Sequence, residues 1–411
     1  MERVFGWREH TALWFSFGVG LLVIQVGAYL VPALGTRAAL LAVVAGSILG
    51  GGLLAWVARI GCGSGLSSAE LIHAIYGRHF ARLPVLLNVI QLLGWATFEL
   101  VVMRDGTRAI ARQALGVDIG RLAPTLFWGL IVLVLLRGSM LTLVRRIVGR
   151  IGLPLVVVSL LWLTAQFSVK LNAEGLRALW MRPGDGSMNT FQALDLVIAM
   201  PVSWLPLVAD YARHGRSRRS ALGGTWLGYT IANIWCYALG VLVITATGPG
   251  ISMVSALLLA QGGLVALGLI VIDEMDNTYG DLYSGSVSAH NLLPRPGVKT
   301  WSTMLTIAAI LFAIVLPMRT LEPFLLMLSS VFVPLFGTIL GRVAAQPQQL
   351  ADVSRAIHAA PALIWISGII CYHALAQWAP QYGSALPTLL VTFILGALSA
   401  GVRRGARPAL Q

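Results

Sequence analysis

Two stretches of the chain place ionisable side chains inside otherwise apolar sequence. The first reads Asn88, Gln91, Trp95 and Glu99, in steps of three, four and four. Those steps set two amides, an indole and a carboxylate on one stripe of a helix. A carboxylate at membrane depth costs a few kcal/mol even on the lenient insertion scale, so Glu99 should face a protein or water-filled interior. There it either meets a solute or pairs with an Arg or backbone group of another helix. Trp95, one turn away, offers a flat face for stacking, or is simply core or lipid-facing. The second stretch runs Asp273, Glu274, Met275, Asp276, Asn277, Thr278, Tyr279, Gly280, Asp281, Leu282, Tyr283, Ser284, with four acids in nine residues. Asp273, Asn277, Asp281 and Ser284 share a face, flanked by Asp276 and Gly280. Acids at this density must be protonated, paired or bound to a cation, because several bare carboxylates in low dielectric are too costly.

Such side chains need membrane helices to hold them, and the composition supplies these. The 411 residues are 57% hydrophobic and 11% charged, with a mean hydropathy of +0.81, far outside soluble composition. A span takes about 20 apolar residues, so the chain has room for roughly a dozen and for no extramembrane catalytic domain. Apolar runs bounded by Arg, Pro and Gly clusters give twelve spans, over 11–33, 37–59, 83–106, 122–137, 148–169, 190–211, 221–247, 262–287, 300–318, 322–342, 358–377 and 385–402. The expected fold class is an all-α polytopic membrane protein. Its net charge of +13 comes from basic residues scattered between apolar stretches, the pattern of membrane orientation rather than nucleic-acid binding. With the N-terminus inside, 20 of the 29 Lys and Arg, among them Arg145, Arg146, Arg355, Arg403, Arg404 and Arg407, fall on that side. The positive-inside rule then puts both termini in the cytoplasm. Arg104, Arg108, Arg112 and Arg121 run against it, unless the third helix projects beyond the bilayer or a boundary is displaced. Cys62, Cys236 and Cys371 are too few and too far apart for a disulfide framework or a zinc site. The segment Met1 to His10 is short and charged and precedes a run longer than a signal-peptide core, so the first span is expected to be retained.

Two spans are interrupted. The first carries Gly18-Val19-Gly20 followed by Gln25 and Gly27, and the sixth carries Met200-Pro201-Val202-Ser203-Trp204 and then Pro206. Non-helical backbone at membrane depth is tolerated where it is packed in protein or lines a cavity. Interruptions five spans apart are the trace of two inverted five-helix repeats with a site between them, or else ordinary Gly and Pro kinks. Asp210 and Arg213, at the end of the sixth span, read as a structural or gating pair at the cytoplasmic surface. The seven His show no metal-ligand spacing, and there is no nucleophile elbow or Walker loop.

Taken in order, several motifs resemble the nucleobase-cation-symport-1 family, and within it the hydroxymethylpyrimidine and cytosine-permease branch. They are Gly77-Arg78-His79-Phe80, Ser203-Trp204-Leu205-Pro206-Leu207 with Asp210-Tyr211-Ala212-Arg213, Leu282-Tyr283-Ser284-Gly285 before Asn291-Leu292-Leu293-Pro294, and Ser330-Val331-Phe332-Val333-Pro334-Leu335. The resemblance covers essentially the whole chain. It implies a leucine-transporter-like fold, with a first repeat over 1–169, a second over 190–342, two terminal helices over 358–402 and a cytoplasmic tail over 403–411. It also implies a substrate ring between Trp95 and Trp204, with Glu99 where relatives commonly carry Gln. Gln91, Gln25 and Asn277 complete the expected substrate set. The implied cation site uses first-helix carbonyls near Gly18 and Gly20 and eighth-helix side chains, which fall here on Asp276 and Asn277, with Asp273 adjacent. Relatives that couple to sodium show neutral oxygens there, so the acids leave both H+ and Na+ open.

The resulting expectation is an inner-membrane secondary transporter, not an enzyme, that imports a small heterocycle by H+ or Na+ symport and needs no other cofactor or metal. A carboxylate at Glu99 can accept from an exocyclic amine and a ring N–H together, which favours an aminopyrimidine such as cytosine or a hydroxymethylpyrimidine. Proton coupling is preferred, with Asp276 as carrier. The alternatives are a permease for purines, hydantoins or allantoin, a polytopic membrane enzyme using buried acids, and a channel. Oligomeric state is not readable from the sequence.

Overall fold

The computed structural model describes residues 3–138, 150–248, 250–316, 321–347 and 356–401. Arg145, Arg146, Arg355 and the 403–411 tail, which entered the charge count, lie outside the described residues. Among these residues the chain is helical, with two isolated bridges, Phe5 to Gly215 and Gly35 to Pro183, and no strand.

Each expected span has its helix. The first is split into α1 (Trp7–Gly18) and α2 (Leu21–Leu34), which bend by 57° at the break. Then come α3 (Thr36–Ser64), the short α4 (Ser68–Tyr76), α5 (Arg82–Leu115), α6 (Leu122–Arg137) and α7 (Leu153–Met181). The sixth span is α8 (Thr190–Ser203) with α9 (Leu205–Ala212), followed by α10 (Arg218–Thr247) and the short α11 (Met253–Leu257). The acid-bearing α12 (Gly263–Leu292) precedes α13 (Val298–Val315), α14 (Leu321–Ala345), α15 (Ala359–Trp378) and α16 (Ala385–Gly401). Among the described residues, eight helical stretches and the bent α1–α2 pair are long and apolar enough to cross a bilayer, while α6 and α16 are apolar but shorter. The protein is an all-α polytopic membrane protein.

Helix α5 explains the arginines that opposed the orientation rule. Its 34 residues extend about 50 Å, well beyond a hydrocarbon core of about 30 Å. Arg104 pairs with Asp105 at 2.8 Å and donates to the Ala313 carbonyl at 2.7 Å. Arg112 and Arg108 reach Asp118, at 2.5 and 3.1 Å, in the loop that follows the helix. Arg112 above all, with the Gly120 amide and Arg108, holds the Asp118 carboxyl down at about 2. Three of the four arginines, Arg104, Arg108 and Arg112, are therefore charge-paired at the end of a helix longer than a span.

Small residues seat the two interrupted spans. Along α10, Gly224, Gly228, Ala232, Cys236 and Gly240 recur every fourth position on one buried stripe. A Cβ on Gly228 would stand 2.3 Å from Thr11 O of α1, and one on Gly240 would stand 1.9 Å from Ile24 O of α2. Both halves of the broken span thus lie backbone-close against one helix, as small-residue stripes permit in lipid. On the other side α3 receives the sixth span in the same way: a Cβ on Gly50 would stand 2.3 Å from Pro201, and one on Gly61 2.6 Å from Ala209. Burial follows from this seating. The sixth span is 83% buried along its apolar window, against 28% for the spans of α7 and α13, whose remaining surface faces lipid.

Gly240→Val should lower the thermal midpoint of the detergent-solubilised protein, since overpacking costs about 1–3 kcal/mol. Gly52→Ala, where an added Cβ meets nothing within 4 Å, should leave it unchanged or raise it. A Gly240→Val protein that melts with the wild type would disprove the tight crossing.

Candidate functional site

Helices α5 and α12 pack along one another and bring the two polar stretches together. The α5 stripe first serves the sixth span. Pro201 and Pro206 have no amide hydrogen, and at the turn Leu207 N bonds Trp204 O. The Ser203 carbonyl takes instead the Gln91 amide of α5, at 3.0 Å, and Pro206 O takes Asn88 Nδ2 at 3.1 Å. Gln91 Nε2 also donates to Asn88 Oδ1 at 3.0 Å. The nitrogen of Gln91 is therefore committed to holding the break. What remains without a partner on this stripe is Gln91 Oε1, Trp95 Nε1 and Glu99 Oε2, all buried. An unpartnered buried polar group costs about 1–3 kcal/mol, so a row of them is a place where a polar ligand gains.

The two indoles sit in different surroundings. Trp95 is 6% exposed and meets Phe324 of α14 edge-on, with centroids 5.3 Å apart. Trp204, at the turn between α8 and α9, stacks on Phe17 of α1 at 5.0 Å and 13°. Trp14 meets it edge-on at 6.0 Å. One face of Trp204 is thus covered by Phe17, and a solute ring has only the other. Glu99, 3% exposed, lies beside the Thr278 hydroxyl and close to Asp281.

Helix α12 serves the first span as α5 serves the sixth. At the break Asn277 Nδ2 donates to Val19 O at 3.1 Å, and Glu274 Oε1 accepts from Leu21 N at 2.7 Å. Ser16 Oγ of α1 donates to Asp273 Oδ1 at 2.9 Å. Both oxygens of Asp276 are buried, with the Ser16 hydroxyl beside the carboxylate. With Ser16 and Asp273 it lines a cavity of about 70 Å³ bounded by Leu135 of α6 and Val156 of α7. Among the described residues no three His, Cys, Asp or Glu side chains converge as a metal-binding group. Glu274 reaches to α2 and Asp273 to α1, Asp276 stays beside both, and Asp281 lies near Glu99.

Of the residues expected from sequence, Gln91, Trp95, Glu99, Asp273, Asp276 and Asn277 lie on the facing helices, and Trp204 at the sixth-span turn. Gly20 lies at the first-span break, where a Cβ would stand 3.2 Å from Glu274 Oε1. Gly18 faces α10 instead, its Cβ position 2.8 Å from Ala232. Gln25 does not join the group: it is exposed on α2, one turn before Tyr29, which lines a separate cavity of about 470 Å³ with Asp195 and Glu322. Asp210 is not at the surface. It is fully buried and accepts from Ser68 N at 3.0 Å, at the start of α4, while Arg213 Nε donates to its backbone carbonyl at 3.2 Å. The pair is a helix anchor, made so by an element that was not among the expected spans. Glu274 and Ser16 are the contacts that sequence reasoning missed. The available signal was that Glu274 stands three residues before Asn277, the same spacing as Asn88 and Gln91.

Residues 1–346 match the family model described as permease for cytosine/purines, uracil, thiamine, allantoin. The whole chain superposes on Mhp1, a nucleobase-cation-symport-1 transporter, in a closed conformation with bromovinylhydantoin bound, with a TM-score of 0.81, 14% identity and coverage of 98% of this chain and 93% of that one. The inward-facing conformation of Mhp1 gives 0.78, at 15% identity over 98% and 92%. A Na+-coupled sialic acid symporter in a substrate-bound outward-open state gives 0.66, at 12% identity over 97% and 90%. At these identities the likeness is one of fold. No curated protein matches the chain in sequence.

Replacing Asn88 by Leu keeps its approximate volume and removes the donor to Pro206 O. The bonds of Asn88 to Ser288 and Gln91 go as well, leaving buried polar groups unpaired, and the protein should lose about 1–3 kcal/mol in chemical or thermal unfolding. A neutral result would mean that the sixth-span turn does not need Asn88.

Proposed function

The chain belongs to the permease family for cytosine/purines, uracil, thiamine and allantoin and is a transporter rather than an enzyme, and from that premise we propose that it imports a pyrimidine-type heterocycle by proton symport. The observation that carries the substrate reading is the row of unpartnered buried groups on α5, ending in a carboxylate oxygen. Trp95 and the open face of Trp204 hold the ring, and Glu99 accepts from its exocyclic amine. Gln91 adds one acceptor, its Oε1. Cytosine presents an exocyclic amine and, away from it, a ring N–H, and an aminated hydroxymethylpyrimidine presents the amine; uracil and hydantoins carry ring N–H groups beside carbonyls but no exocyclic amine.

Proton coupling is supported by what surrounds the acids. The carbonyl freed at Val19, which a cation could have coordinated, already accepts from the Asn277 amide. Asp276 lies beside the Ser16 hydroxyl and lines a small cavity, so it is the carrier we favour. Na+ held by the same carboxylates is the second reading, since hard oxygen ligands suit it.

The organisation that frames the site is two five-helix repeats, 1–169 and 190–342, followed by terminal helices over 358–402. Its support is reciprocal: α10 seats the first span and α3 the sixth, while α12 partners the first break and α5 the sixth. Both termini are placed in the cytoplasm of a bacterial-type inner membrane on the charge count.

Trp95→Ala and Trp204→Ala should each weaken substrate binding severalfold or more, since stacking contributes about 1 kcal/mol beyond area burial. Normal affinity in a folded variant removes that residue from the site. Glu99→Gln replaces an acceptor by a donor, so cytosine should lose more affinity than uracil; equal losses would point to a structural role. In proteoliposomes a pH gradient in sodium-free buffer should drive uptake, and Asp276→Asn should abolish that drive. Uptake that is absent there and restored by a Na+ gradient at constant pH rejects the proton reading.

A further inference from the structure

A break inside a membrane helix creates a helix N-terminus, whose free N–H groups and dipole make a partial positive end. In interrupted transporter helices that end points at anionic groups of the substrate. In this chain the end is already filled. Glu274, 2% exposed, sets Oε1 against Leu21 N at the start of the 14-residue α2. Its Oε2 lies 3.4 Å from Asn277 Nδ2, the group that also donates to Val19 O. A Cβ on Gly20 would stand 3.2 Å from Oε1 and 3.7 Å from Oε2, so the glycine is what lets the carboxylate approach. The ionisable groups facing Glu274 are Asp276 and Asp273 of its own helix, Glu99 of α5 and Cys236 of α10. None is a base. The helix end is therefore the positive partner of this carboxylate.

We propose that Glu274 is a tethered anion that occupies the anion site of the first span, and that it restricts the substrate site to rings carrying no carboxylate. The second half rests on the transporter reading above, whereas the occupancy of the helix end does not. Acetate, a free carboxylate, should accordingly replace the tethered one when the side chain is cut back.

The test uses the purified full-length protein in detergent, as wild type, Glu274→Ala and Glu274→Gln, melted in acetate or chloride at equal pH and ionic strength. Glu274→Gln fills the space without the charge, and it should melt below wild type and ignore acetate. Glu274→Ala should melt lower still, and acetate should raise it saturably, by about 2–4 °C, with no effect on wild type. Acetate that shifts Glu274→Ala no more than wild type overturns the proposal. So does a Glu274→Gln protein that melts with wild type, a result that stands even if the alanine variant does not fold. The selectivity half is read by competing orotate, a pyrimidine carboxylate, against cytosine. Orotate should gain at least tenfold relative to cytosine on going from wild type to Glu274→Gln, and an unchanged ratio overturns that half. Wild type that binds neither ring, with the acetate response intact, faults the transporter reading and leaves the helix-end assignment standing.

Discussion

Backbone groups set free inside a bilayer must find partners within the protein, because no water is there to supply them. This chain frees such groups at two places and meets the demand twice in the same way. A pair of polar side chains three residues apart, Asn88 with Gln91 and Glu274 with Asn277, reaches from a neighbouring helix to the break and bonds its loose ends. The remaining architecture arranges for those pairs to arrive. Small residues on α3 and α10 let the broken spans sit close, and the long helices α5 and α12 stand where both pairs can reach.

The two breaks differ in character, and so do their partners. The sixth-span turn is a single residue, Trp204, with φ near the helical region, and neutral amides suffice to hold it. The first-span break is extended over Val19 and Gly20 and bends the chain by 57°. It exposes a true helix start, and a carboxylate answers it. The polar groups are divided accordingly, with Gln91, Trp95 and Glu99 on α5 and Asp273, Glu274, Asp276 and Asp281 on α12.

Most of the fold was legible because a bilayer imposes a length on apolar runs, and every expected span coincides with a helix. The ends were less so. The sequence of α5 turns polar after Met103, yet Asp105 and Asp118 allow its arginines to continue the helix outward. On α5, helical spacing set Gln91, Trp95 and Glu99 on one stripe, and all three are buried. It could not say which of three acids in four residues faces α1 and α2, because that depends on the rotation of α12 against helices some 250 residues away. Glu274 was thereby overlooked in favour of Asp276. Gln25 was legible as a polar residue in an apolar helix, but its outward direction is a tertiary fact. The burial of Asp210 likewise depends on α4, a helix too short to leave a span-like trace.

Helix α12 is long, buried and central, but it is absent from the stretches apolar enough to qualify as spans on their own. Each Asp at the middle of a lone helix opposes membrane insertion by about 2.5–3.5 kcal/mol. The helix therefore depends for its place on segments synthesised before it. By the time residue 263 leaves the ribosome, Ser16, Leu21 N, Val19 O and the α5 stripe have all been made. Biogenesis of this protein is thus ordered by its polar groups as well as by its apolar ones: the least insertable segment comes late, into surroundings that already hold its partners.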